Sequence, residues 1–135
     1  MAANRTPILV RKSVLGACTV SVANTNRDGT GNLKELLNAA AYPNGIHILY
    51  CKYVAAGTVT AGVLRFFDFD GTTKRLIHEL LITATTPSTT VAVAMDRWEE
   101  LYPIDLPAGH SLLVGTHNAE TFNVFAFAYA SEDEV

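Results

Sequence analysis

Apolar and polar positions alternate along much of this chain. Thr19-Val20-Ser21-Val22 alternates, and Val91, Val93 and Met95 occupy every second place. From Phe122 onward Val124, Ala126 and Ala128 interleave with Phe125, Phe127 and Tyr129. A period of two marks strands whose two faces meet different surroundings. The strongest local signal lies in residues 58–84. There, two runs rich in β-branched, aromatic and leucine residues flank Asp68-Phe69-Asp70-Gly71-Thr72. Asp-Gly between such runs predicts a β-hairpin, because glycine takes positive φ without steric cost. One register puts Leu64 and Phe66 on one face with Leu76, Leu80 and Ile82, and Arg65, Arg75 and Glu79 on the other, where opposite charges can pair across strands.

The remaining segments follow the same logic. Residues 8–22 read as one or two strands broken near Gly16, and Asn24 to Gly31 as a turn cluster of Asn, Asp and Gly. Residues 46–54 are apolar on both sides, with Ile46, Ile48, Tyr50 and Val54 facing one way and Leu49, Cys51 and Tyr53 the other. That is expected of a central strand covered on both faces. Residues 110–114 and 122–130 complete the set. Residues 32–41 are ambiguous. Leu33, Leu36, Leu37 and Ala40 have helical spacing with Asn32 as an N-cap, but the neighbouring segments read as strand, so helix and strand stand level. Roughly eight strands at spacings near ten residues predict an all-β, two-sheet antiparallel β-sandwich, jelly-roll-like, spanning residues 8–130. A short arm (1–7) precedes it and an acidic tail (131–135) follows.

Composition sharpens this picture in two places. Only 17% of the residues are charged against 49% apolar, so some apolar surface is expected to be left for contacts, and self-association is expected. Net charge is −3, which disfavours nonspecific nucleic-acid binding. The charge is polarised: residues 1–34 hold five cations against Asp28 (+4), and residues 96–135 hold eight acids against Arg97 (−7). Cys18 and Cys51 are too few and too distant for a metal cluster and read as buried thiols of a protein made in a reducing cytosol. The N-terminal residues lack the apolar core of a signal peptide, and no run reaches the length of a membrane helix.

Candidate chemistry is thin. Asp68, Asp70 and Glu79 have the outer spacing of a calcium loop, but Thr73 stands where that loop needs glycine. His47, His78, His110 and His117 have no third ligand at metal-like spacing, and His78 falls on a face that should be buried. Glu99-Glu100 beside Trp98 hints at carbohydrate work, yet adjacent strand residues point to opposite faces. The chain therefore reads as a non-enzyme without cofactor or metal.

Two stretches carry a resemblance. Thr60 to Phe67, Asp70-Gly71-Thr72 and Thr85 to Thr90 form the first; Leu106 to Leu112 and Thr116 to Val124 form the second. In this order they resemble a family of small jelly-roll-like virion structural proteins of tailed bacteriophages, of the capsid decoration (cement) type. The resemblance implies a non-enzymatic protein of the virion, made in the host cytoplasm. It sits either on the capsid surface, as a homotrimer bound to the major capsid protein, or in the tail, collar or baseplate. A carbohydrate-binding sandwich is the alternative from another class. In the cement reading the basic residues Arg5, Arg11 and Lys12 meet the shell. Tyr53, Phe125, Phe127 and Tyr129 supply the contact between copies.

Overall fold

A computed structural model describes residues 9–133. Nine strands follow one another: β1 (Leu9–Val20), β2 (Lys34–Asn38), β3 (Ile46–Ala55), β4 (Gly62–Phe69), β5 (Lys74–Ile82), β6 (Met95–Trp98), β7 (Ile104–Leu106), β8 (Ser111–Thr116) and β9 (Phe122–Asp133). Their pairing is nested. β4 pairs with β5, β3 with β6 and β7, β2 with β8, and β1 with β9, all antiparallel. The chain is thus one long hairpin whose tip is the turn at Asp70-Gly71. Rolling that hairpin brings β9 beside β3 and β8 beside β4. Two sheets result, β1-β9-β3-β6 with β7 also on β3, and β2-β8-β4-β5. This is the double-sheet jelly roll. β6 and β7 share one lane along β3, so the expected eight lanes are present with one of them broken.

The hairpin tip forms as its residues dictate. Asp70 accepts hydrogen bonds from the backbone N–H groups of Thr72 (2.8 Å) and Thr73 (2.7 Å) and an ion pair from Arg75 (2.9 Å). Gly71 sits at φ 98°, the left-handed region that side chains avoid. Across the ladder Arg65 faces Glu79, as expected, at 2.7 Å.

Bulges account for the faces that a strict period of two misassigns. Leu49 is an extra residue in β3, between Ile48 and Tyr50, so the pleat reverses there. Ile46, Ile48, Cys51, Tyr53 and Ala55 all turn inward, while Tyr50, Lys52 and Val54 turn outward. A second bulge at Ile77 moves Leu76 off the Leu80/Ile82 face to pair with Phe67. In the ambiguous 32–41 segment the strand wins. Leu36 and Leu37 are both buried at a bulge opposite β8, a packing that one helical stripe could not reproduce against this sheet. The 91–95 strand starts later than expected, at Met95, and ends at Trp98. β9 runs on to Asp133, so Ser131, Glu132 and Asp133 of the expected tail are strand.

The sandwich is closed along one side and open along the other. β1 is unbroken, and its Gly16 is buried where a Cβ would stand 2.2 Å from the Leu36 carbonyl oxygen. Only glycine lets β1 approach β2 so closely. On the far side, the break between β6 and β7 leaves a cleft of about 340 Å³ between the sheets, lined by Trp98, Ile104, Leu106 and Leu112. The loop from β1 to β2 lies over the outer face of the second sheet. It is tied down by a parallel bridge from Ala23 to Thr116 and by Arg27 on Glu79 (2.8 Å). Asn24 organises it, donating to the Thr30 and Asn32 carbonyls and accepting from the Asn26 N–H. Beside it Arg65, only 3% exposed, donates to the Asn24 carbonyl and to Glu79.

Candidate functional site

Among the described residues, the outer face of the first sheet gathers aromatic and cationic side chains from β1, β3, β6 and β9. β9 sends Phe122, Val124, Ala126, Ala128 and Ala130 into the core, which forces Phe125, Phe127 and Tyr129 outward. Each outward ring lies half-buried against a neighbour on β3. Phe127 stacks on Tyr50 with ring centroids 4.7 Å apart, and Tyr129 packs on His47 at 4.9 Å. Phe125 lies 6.3 Å from Phe127 and pairs in register with Lys52. Two guanidinium groups cover ring faces: Arg11 lies 3.9 Å from the Tyr129 centroid and Arg97 lies 5.7 Å from that of Tyr50. Leu15 (62% exposed) and Met95 (50%) extend the apolar area to both flanks.

These groups fall into rows, because register fixes which residues stand side by side. From β1 through β9 and β3 to the outermost lane, the first row is Ser13, Tyr129, His47 and Asp105. The second is Leu15, Phe127 and Tyr50, and it stops at the break between β6 and β7. The third is Ala17, Phe125, Lys52 and Arg97; the fourth is Thr19, Asn123, Val54 and Met95. Asp105 closes the first row with its carboxylate 2.6 Å from His47 Nδ1 and its side chain 73% exposed. Most ring faces are already used by other rings or by cations, so chiefly ring edges and aliphatic groups meet solvent. Such a surface suits the apolar skin of a protein better than flat bases or sugars, which need an open ring face.

Of the contact residues expected from sequence, Phe125, Phe127, Tyr129 and Arg11 come together here. Tyr53 does not. It is 2% exposed and packs edge-on against Phe122 at 5.6 Å inside the core, because the bulge at Leu49 reverses its face. Lys12 stands apart from the strip, with Nζ 6.0 Å from the Tyr42 ring centroid. Arg5 lies outside the described residues. Sequence reasoning missed Tyr50 and His47, which take the place meant for Tyr53. Lys52, a charged residue whose own parity marks the outward face, could have found Tyr50; His47 lies beyond the bulge, on the opposite parity, and has no such signal.

The other candidate chemistry is structural in role. Asp68 pairs with His110 (2.8 Å), Asp70 caps the hairpin, and Glu79 holds Arg27 and Arg65, so the calcium-loop carboxylates are each engaged elsewhere. Among the described residues no group of three or more His, Cys, Asp or Glu is placed to hold a metal ion. His117 Nδ1 sits 3.1 Å from Arg65, and His78 stacks flat on Trp98 at 4.4 Å. Trp98 is 5% exposed and donates to Glu100 at 2.8 Å, so it offers no free ring to a sugar. Burial pushes the Cys18 thiol up to about 11 and the Cys51 thiol up to about 12, and both are free.

No family model matches the chain. No curated protein matches it. Among solved structures the chain is similar to a pentameric capsid protein isolated from metagenomic phage sequences, at 16% identity and a TM-score of 0.41. The alignment covers 89% of this chain and 64% of that one, so the chain spans less than two thirds of its length. A likeness at this level assigns no property to this chain.

Proposed function

We propose that this chain is a structural protein of a bacteriophage particle and not an enzyme. In its finer form the reading is a capsid decoration subunit that binds the assembled shell and braces its major capsid protein. The observation that carries the reading is the outer face of the first sheet, where four aromatic rings lie between Leu15 and Met95 and none of the described residues forms a layer over them. A monomer gains nothing from such a face, whereas a lattice-bound subunit buries it. Jelly rolls serve shells and lectins alike, so fold by itself does not select the role. The resemblance of residues 60–67, 70–72, 85–90, 106–112 and 116–124 to virion proteins favours the phage particle over the lectin. Binding only the assembled lattice, many copies would stabilise it by mass action.

The test is co-sedimentation of the purified chain with whole phage particles from which it has been deleted, followed by electron cryomicroscopy of the pellet. The expected result is saturable binding with ordered density for this fold on the capsid exterior. Density in the tail, collar or baseplate instead would replace the decoration reading with the neighbouring one, and an empty pellet would overturn both.

A further inference from the structure

We infer that two copies of this chain pair face to face through the first sheet, about a two-fold axis that runs parallel to the strands between β9 and β3. The inference rests on reading that face as a contact surface, and not on a place in any particle. The sheet has four lanes, so such an axis lays β1 over the partner's β6–β7 lane and β9 over its β3. An isologous interface must be self-complementary under that exchange. Each row can be checked against this requirement.

The first row is antisymmetric in charge. Arg11, whose guanidinium lies on the Tyr129 ring, marks one end, and the exposed Asp105 carboxylate marks the other. Exchange lays the Arg11 guanidinium of each copy over the His47–Asp105 pair of its mate, where it reaches the exposed carboxylate and forms two equivalent ion pairs. The second row is antisymmetric in shape. Leu15 protrudes at one end, and at the other the lane is interrupted between Trp98 and Ile104. Near that interruption lies a depression of about 230 Å³ lined by Tyr50, Lys52, Met95 and Arg97. In the third row the small Ala17 meets the long Arg97, and Lys52 comes over Phe125, a cation over a ring. In the fourth, Thr19 meets Met95. In the two outer lanes each large group faces a small one or the break in the lane, the two central lanes set ring on ring (Tyr129 over His47, Phe127 over Tyr50), and no like charges meet.

The area is sufficient. Four lanes at about 4.8 Å and four rows at about 6.8 Å project to about 500 Å² per copy, or about 1,000 Å² for the pair, the floor for a specific interface before side-chain relief is counted. The resemblance implies three copies; the order of groups on this face suits two.

The test uses the full chain in sedimentation equilibrium, with far-UV circular dichroism to show that each variant is folded. The wild-type chain is expected at twice its 14.6 kDa at micromolar concentration. Arg11→Asp and Asp105→Arg are each expected to weaken association about tenfold or more, by setting like charges against each other. Mixing these two variants is expected to restore the dimer, since each then supplies the charge that the other needs. Leu15→Glu is expected to give a folded monomer. A monomeric or trimeric wild type, or a mixture that stays monomeric, overturns the pairing. Because shell binding is read separately, a chain that binds shells without dimerising sinks this inference and leaves the proposed function standing.

Discussion

At the scale of the residue, four positions carry consequences that can be measured. Gly16 occupies a position where even a methyl group would strike the Leu36 carbonyl at 2.2 Å. Gly16→Ala is therefore expected to force β1 away from β2 and to lower stability by about 1–3 kcal/mol, read as a falling midpoint in thermal unfolding. His78 lies flat against Trp98, and burial pushes its pKa below the usual histidine value. The folded state thus prefers the neutral ring, while the unfolded chain takes up a proton as pH falls through about 6.5. Stability contributed this way is present above that value and lost on acidification. His78→Phe keeps the stack and removes the titration, so the melting temperature should depend less on pH between about 7.5 and about 5 than in the wild type. Cys18 and Cys51 both have thiols pushed up by burial, to about 11 and about 12. Titration with a chromogenic disulfide near neutral pH should label them slowly in the folded chain and promptly in denaturant.

Between elements, the connections are held largely by charge. The loop from β1 to β2 is pinned to the second sheet through Arg27, Glu79 and the buried Arg65. The hydrogen bond from Arg27 does most to hold the Glu79 carboxyl below its usual range; burial opposes it, and the hydrogen bond from Arg65 and the charges of both arginines add to the lowering. A carboxylate held low in the fold stabilises above its unfolded value, near pH ~4.3, and that contribution fades as pH falls through the folded value. Acid unfolding should therefore begin with this loop. Arg65→Ala leaves the Asn24 carbonyl and Glu79 without their donor and is expected to cost about 3 kcal/mol, the low end for breaking a buried pair because Glu79 remains part-exposed. Hydrogen exchange should show amides 24–32 opening in that variant well before those of β3 and β9, the two central strands of the first sheet. If the loop stays as protected as the central strands, the pin lies elsewhere.

For the whole molecule, the nested hairpin has left one sandwich edge shut at Gly16 and the other open at the cleft beside Trp98. Among the described residues it has also left one sheet face covered by a loop and the other bare. In the proposed reading that asymmetry points the molecule's contacts through the first sheet. The strip would be invisible to an account of the core alone, since its rings are half-buried by one another and need no partner for folding. Substituting Phe127→Ser should consequently leave unfolding changed little compared with Phe122→Ser, whose ring is wholly inside. Side-by-side denaturant titrations would check the contrast, and equal losses would mean that the strip belongs to the core after all.

Much of this molecule is written in short-range pattern. The period of two separates the inward Val124-Ala126-Ala128 series from the outward Phe125-Phe127-Tyr129 series with no help from tertiary contacts. Asp70-Gly71 calls for its turn because few other residues accept a φ near 98°. The pairing of Arg65 with Glu79 needs more than that turn: the register at the turn would set Arg65 against His78, and the bulge at Ile77 shifts it by one. What short-range pattern does not contain is the place of an inserted residue. Leu49 and Ile77 look like any strand leucine or isoleucine, yet each reverses the pleat beyond it, and only pairing with β9 and with β4 decides that they bulge. One such residue moved Tyr53 into the core and put Tyr50 in its place. The strand in residues 32–41 was likewise settled by β8, whose open ladder outweighs a weak helical preference in a short segment. Local sequence determines turns and faces because they depend on neighbours one or two residues away. Bulges, lane order and the bare sheet depend on partners distant in sequence, in β1 and β9 more than a hundred residues apart, and the tertiary structure alone decides them.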